Sequence, residues 1–122
     1  MIGYVTLGTN DLQRAARFYD ALLGELGARR WMENDREIVW VRPTGGPAFS
    51  ILKPFDGNPA TVGNGVMVAL AMTSREHVDA LYRQALELGA TDEGLPGPRG
   101  GSFYAGYFRD LDGNKLNAFF LG

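Results

Sequence analysis

One hairpin pattern occurs twice in this chain, and that repetition limits the fold more than any other feature. Gly106–Gly122, GYFRDLDGNKLNAFFLG, runs from a short aromatic stretch through Asp112-Gly113-Asn114 into a second apolar stretch. An Asp-Gly pair between two such runs signals a tight hairpin, because glycine supplies the positive φ the turn needs. Val39–Leu52, VWVRPTGGPAFSIL, has the same form. Shifting it by 67 residues places Trp40 on Tyr107, Arg42 on Arg109, Gly46 on Gly113, Phe49 on Leu116 and Ser50 on Asn117.

The segments around the first hairpin fill out a module. Ile2–Gly8 alternates as a strand, with Val5 and Leu7 on one face and Tyr4 and Thr6 on the other. Asn10 is placed to cap a helix, with Gln13 at the capping-box position. Leu12, Ala15, Phe18, Tyr19, Leu22 and Leu26 then recur at helical spacing, and Gly24 or Gly27 ends the helix. Strands are expected over Arg29–Glu33, Glu37–Arg42 and Ala48–Lys53, giving the order βαβββ.

Residues 54–64, with two prolines and two glycines in PFDGNPATVGN, read as a linker between a module of about 1–53 and another of about 65–122. Gly65–Met72 is the first strand of the second module. Thr73 and Glu76 fall 63 residues after Asn10 and Gln13 as a second capping pair, and Val78, Leu81, Tyr82, Ala85 and Leu88 form the apolar stripe. Thr91–Ser102, with two prolines and four glycines, is a weak strand and reads as a mobile lid carrying Arg99. Phe103–Asp110 and Lys115–Leu121 complete the module. Each half is marginal alone, so the two are expected to pair as one domain over 1–122 with a cleft between them.

Composition narrows the functional classes. A net charge of −2 gives no electrostatic reason to bind nucleic acid or an anionic membrane. No run of 18 apolar residues suggests a membrane span. The absence of cysteine removes disulfide and thiol chemistry and fits a cytoplasmic protein.

The opening TLGTNDLQRAARFYDALLGELGA, the segment NGVMVALAMTSREHVDALYRQALELGA and the closing RDLDGNKLNAF resemble the vicinal oxygen chelate superfamily, the glyoxalase, bleomycin-resistance and extradiol-dioxygenase group. The resemblance implies an α+β fold in which duplicated βαβββ modules form a curved, half-open eight-stranded barrel, commonly a homodimer. Many of the family's enzymes hold a divalent metal with His on the first strand, Glu or Gln on the fourth, His on the fifth and Glu on the eighth. Those positions fall on Tyr4, Ser50, Met67 and Asn117.

None of the four keeps the family's ligand type. Hard divalent ions favour carboxylate and imidazole, whereas a phenol, a hydroxyl, a thioether and an amide are neutral and poorly matched. The single histidine, His77, maps to Arg14 on a polar helix face and reads as a surface residue. No metal or other cofactor is therefore expected.

Alternation points Tyr4, Thr6, Ser50, Met67, Asn117 and Phe119 into the cleft, with Trp40, Tyr107 and Phe108 close by and Arg99 reaching from the lid. Turn length decides which of Tyr107 and Phe108 faces inward. Trp31 and Phe55 are candidates for the rim or a dimer contact. Arg42 and Arg109 are expected to pair with Asp110 or Asp112. An apolar, aromatic wall with a few polar groups suits a small-molecule site. The leading expectation is metal-independent binding of a small aromatic or amphipathic molecule. The alternatives are an enzyme using Tyr4 as acid or base with Asn117 polarising it, and an interaction protein whose aromatic residues fill the cleft or meet a partner.

Overall fold

Two βαβββ units account for all residues 1–122 in the computed structural model, the first ending at Thr61 and the second starting at Val62. The first comprises β1 (Tyr4–Gly8), α1 (Leu12–Gly24), β2 (Arg29–Glu33), β3 (Glu37–Val41) and β4 (Ala48–Leu52). The second comprises β5 (Val68–Ala71), α2 (Arg75–Glu87), β6 (Thr91–Pro98), β7 (Phe103–Arg109) and β8 (Lys115–Leu121). The sheet orders are β1-β4-β3-β2 and β5-β8-β7-β6, each with its first pair parallel and the others antiparallel.

Each helix covers one face of its own sheet. In the first unit Leu12, Ala15, Phe18, Tyr19 and Leu22 are buried with Leu7, Ile38, Trp40, Phe49 and Ile51. The Tyr19 ring lies 4.8 Å from Phe49 and 5.9 Å from Trp40. In the second unit Val78, Leu81, Tyr82 and Ala85 are buried with Phe108, Leu116 and Ala118. Side chains of this size each stabilise by about 1.5–3 kcal/mol when fully buried, so each unit is held together by its own helix-on-sheet layer.

Both helices start one residue later than the sequence suggests. Asp11, not Asn10, caps α1 by accepting from Arg14 N at 3.0 Å, and Ser74, not Thr73, caps α2 by accepting from His77 N at 3.0 Å. Asn10 is engaged elsewhere, accepting from Ala60 N and donating to Ala60 O. Thr73 sits against His77 Nδ1. The two caps keep the 63-residue offset, so the duplication extends to the capping chemistry. Gly27 (φ +82) and Gly89 (φ +106) then turn the chain out of the helices in the left-handed conformation glycine accepts readily.

The expected lid is a strand. Thr91–Pro98 pairs with β7 along the edge of the second sheet, with irregularities between Asp92 and Gly94 and between Gly94 and Gly97. Pro96 falls inside the second irregularity, where the ladder does not need its missing N–H. Beyond the strand, Arg99 N donates to Phe103 O at 2.8 Å. Proline and glycine mark bulges on a paired edge here rather than a free loop.

Candidate functional site

Strand alternation divides each sheet into a face against its helix and a helix-free face. In the first unit Thr6 lies opposite Ser50, and Val39 flanks Ser50 from the other side. Tyr4, Thr6, Ser50 and Glu37 share the helix-free face. Tyr4 is 66% exposed, whereas Ser50 is fully buried and donates its hydroxyl to Glu37 Oε2 at 2.9 Å. Sequence reading overlooked Glu37. Its parity with Val39, the partner of Ser50, was the available signal.

In the second unit Asn117 lies between Ala69 and Tyr107, and Phe119 between Ala71 and Ala105. These positions share the helix-free face, and the Phe119 ring stacks on Phe103 at 5.6 Å. Met67 precedes β5 at the parity of Ala69 and is partly exposed. Asn117 is only 1% exposed, and its Oδ1 accepts no hydrogen bond. Arg99 is folded over Tyr107, its guanidinium carbon 5.4 Å from the ring centroid, and the Lys115 ammonium approaches the same ring at 5.4 Å.

Trp40 and Phe108 do not join these residues. Trp40 is buried on the helix side and donates its indole N–H to Asp20 of α1 at 2.9 Å. Phe108 is buried opposite Leu116, while Tyr107 takes the helix-free face. The cause is loop length. Arg42–Pro47 joins β3 to β4, and Asp110–Asn114, one residue shorter, joins β7 to β8. With Ser50 and Asn117 equivalent, Trp40 therefore corresponds to Phe108 and Val39 to Tyr107, so the 67-residue shift fails by one on the outgoing strands.

The turn residues are structural. Gly113 has φ +89, and the Asp110 carboxylate accepts from the backbone N–H groups of Asp112 and Asn114 and from the Asn114 amide. Arg109 forms its ion pair with Glu93, at 2.9 Å, and donates to Gly113 O. That bond holds the Glu93 carboxyl below its usual pKa. Glu93 reaches Arg109 across the β6–β7 pair.

An open hollow of about 620 Å³ runs from Asn34–Glu37 across Leu52 and Lys53 to Phe55. The Phe55 ring is 91% exposed, with the Arg36 guanidinium 5.6 Å from its centroid. Of the residues on the helix-free face, Glu37 links this hollow to Ser50.

The sequence profile of the Glyoxalase/Bleomycin resistance protein/Dioxygenase superfamily matches residues 1–118. The chain belongs to this superfamily. A glyoxalase/bleomycin resistance protein from Albidiferax ferrireducens is 39% identical, with 98% of each chain covered and a TM-score of 0.89. Two more distant structures share the fold. A glyoxalase-related enzyme from Fulvimarina pelagi is 22% identical over 98% of this chain and 87% of that one, with a TM-score of 0.79. Lactoylglutathione lyase from Agrobacterium tumefaciens is 17% identical over 98% and 92%, with a TM-score of 0.75. No curated protein matches the chain.

Against the superfamily's metal-binding pattern, the donor set here does not fit. Tyr4, Ser50, Met67 and Asn117 offer no charged donor, and no three His, Asp or Glu side chains gather into a group that could hold a metal. Glu37 is a lone carboxylate already bonded to Ser50. Neutral oxygens and a soft thioether do not offset the cost of stripping water from a hard divalent ion. No helix of this superfamily member is long and apolar enough to cross a membrane.

Proposed function

We propose that this protein binds a small aromatic or amphipathic molecule, without a metal ion, against the helix-free sheet faces that carry Tyr4, Thr6, Ser50, Met67, Tyr107, Asn117 and Phe119. The observation that carries the reading is the donor set. The resemblance puts the family's metal positions on Tyr4, Ser50, Met67 and Asn117, all neutral, with Tyr4, Ser50 and Asn117 on β1, β4 and β8 and Met67 just before β5. Apolar and aromatic surface with a few polar groups is the usual makeup of a small-molecule site. Trp31, 69% exposed at the irregularity in edge strand β2, is the residue we assign to a homodimer contact.

The test combines elemental analysis of purified protein with a thermal-shift screen of small aromatic compounds, with and without chelator. Ligands that bind the folded state raise the melting temperature by mass action. The expected result is substoichiometric metal and stabilising compounds whose effect survives the chelator. Stoichiometric Mn, Ni, Zn or Fe bonded to Tyr4, Ser50, Met67 or Asn117 would overturn the reading.

A further inference from the structure

Two cations and one unsatisfied acceptor surround Tyr107 on the helix-free face of the second unit. The Arg99 guanidinium and the Lys115 ammonium each lie 5.4 Å from the Tyr107 ring centroid, and neither forms an ion pair with a carboxylate. Glu93, the nearby acid, is paired with Arg109 at 2.9 Å and is also attracted by the Lys115 charge without a direct ion pair. Asn117, directly opposite Tyr107 in the β7–β8 ladder, keeps a buried Oδ1 without a donor.

Arg99 is held in place by the fold. Its Nη2 donates to Leu95 O at 2.5 Å and its Nη1 approaches Pro98 O at 3.4 Å. A guanidinium has five N–H donors, so others remain for a ligand. Gly94 and Gly97 make this packing feasible. A Cβ at Gly97 would lie 3.2 Å from Arg99 Nη1, and one at Gly94 would lie 3.3 Å from Tyr107 Cδ1. The bulged, glycine-rich edge strand thus gives Arg99 room to lie over the ring.

We propose that the ligand of this site is a small hydroxylated carboxylic acid. Arg99 and Lys115 receive its carboxylate beside Tyr107, and Asn117 Oδ1 accepts a hydrogen bond from its hydroxyl. The proposal rests on the small-molecule reading above and adds to it the chemical class of the ligand. A planar guanidinium matches a carboxylate with paired N–H donors, and the ammonium adds a point charge. A buried acceptor without a donor selects for a ligand that brings one, because leaving the acceptor unmet disfavours analogues that lack the group.

Calorimetry and thermal shift on the full chain would compare 4-hydroxybenzoate and salicylate with 4-hydroxybenzamide and salicylamide, and with benzoate. The acids are expected to bind at least about tenfold tighter than their amides, as charge-assisted bonds imply. That preference shrinks with added salt. It falls in R99Q and in K115Q, returns in K115R and returns only in part in R99K, which keeps the charge but not the paired donors, and this separates lost charge from lost folding. Benzoate is expected to bind more weakly than 4-hydroxybenzoate, and the difference to vanish in N117A. Acids and amides binding equally, or an acid preference that survives both R99Q and K115Q, would overturn this inference and leave the small-molecule reading standing. If neither acids nor amides bind, both are overturned.

Discussion

Trp40 donates its indole N–H to Asp20 at 2.9 Å, and Arg30 grips the same carboxylate with bonds of 2.9 and 2.7 Å. This one acid of α1 ties the helix to β3 and β2 together. The Arg30 bond is the main reason the Asp20 carboxyl titrates below its usual value, with Trp40 adding to the effect. Asp20→Ala leaves the buried indole N–H without an acceptor, an expected loss of about 1–3 kcal/mol. Urea denaturation checks it, as a lower midpoint at unchanged slope. Trp40→Phe, which removes the donor together with its need for a partner, is expected to cost mainly the lost ring volume.

Alkaline pH tests the corresponding tie in the second unit. Tyr82 of α2 donates to Asp92 of β6 at 2.6 Å. Burial first, and then Asp92, push its phenol up to about 12 from 10.0. Between those values the unfolded chain has lost the proton that the folded chain retains. The contribution of Tyr82 is therefore complete below pH about 10 and is lost as pH rises towards about 12. Asp92 has the opposite sign. Its pKa is lowered, first by Tyr82 and then by Gly94 N–H, so its share is present at neutral pH and lost on acidification. Chemical denaturation from pH 9 to 12 is expected to show a steeper stability loss in the wild type than in Tyr82→Phe.

Gly106 marks where β7 must admit both neighbours closely. A Cβ there would stand 2.9 Å from Pro96 Cγ, 3.3 Å from Pro96 Cα and 3.3 Å from Tyr82 Cδ2. The ring of Pro96 and its backbone cannot swing aside as a flexible side chain would. Gly106→Ala is expected to destabilise by about 1–3 kcal/mol, the usual range for overpacking. It should also loosen β6 first, seen as faster amide exchange at Arg99, whose N–H is bonded to Phe103 O. Gly24→Ala, where a Cβ meets nothing within 4 Å, is the matched control.

Local patterns carried most of the fold into the sequence. The apolar stripe of α1 is read from Leu12, Ala15, Phe18, Tyr19 and Leu22, and all five are buried. The duplicated βαβββ order follows from two such stripes and two hairpins. Three features required the third dimension. Asp11 replaces Asn10 as the cap of α1 because Asn10 is bonded to Ala60, 50 residues away, and Ser74 caps α2 while Thr73 sits against the His77 ring. Edge strand β6 exists because β7 offers it a ladder, which glycine and proline content does not reveal. The facing of Trp40 and Phe108 depended on counting turn residues, since a difference of one loop position exchanges the two sheet faces. The facing of the candidate residues was therefore legible on β1, β4 and β8, where the parity was anchored, and least legible on β3 and β7, which enter those two turns.

The buried Oδ1 of Asn117 makes a prediction in which stability and binding move in opposite directions. An acceptor 1% exposed and without a donor carries an uncompensated desolvation cost in the free protein. Asn117→Leu replaces that amide with an apolar group of similar size, between Ala69 and Tyr107. The ligand-free variant is expected to be as stable as the wild type or more stable, by up to about 1 kcal/mol, because the unmet acceptor is gone. Its affinity for a hydroxylated ligand is expected to fall by about tenfold, the effect of one lost hydrogen bond in a buried setting. Urea denaturation and calorimetry on the same preparation read both quantities. A variant destabilised by more than about 2 kcal/mol would show that Asn117 holds the sheet together, and its amide would then belong to the fold rather than to a ligand.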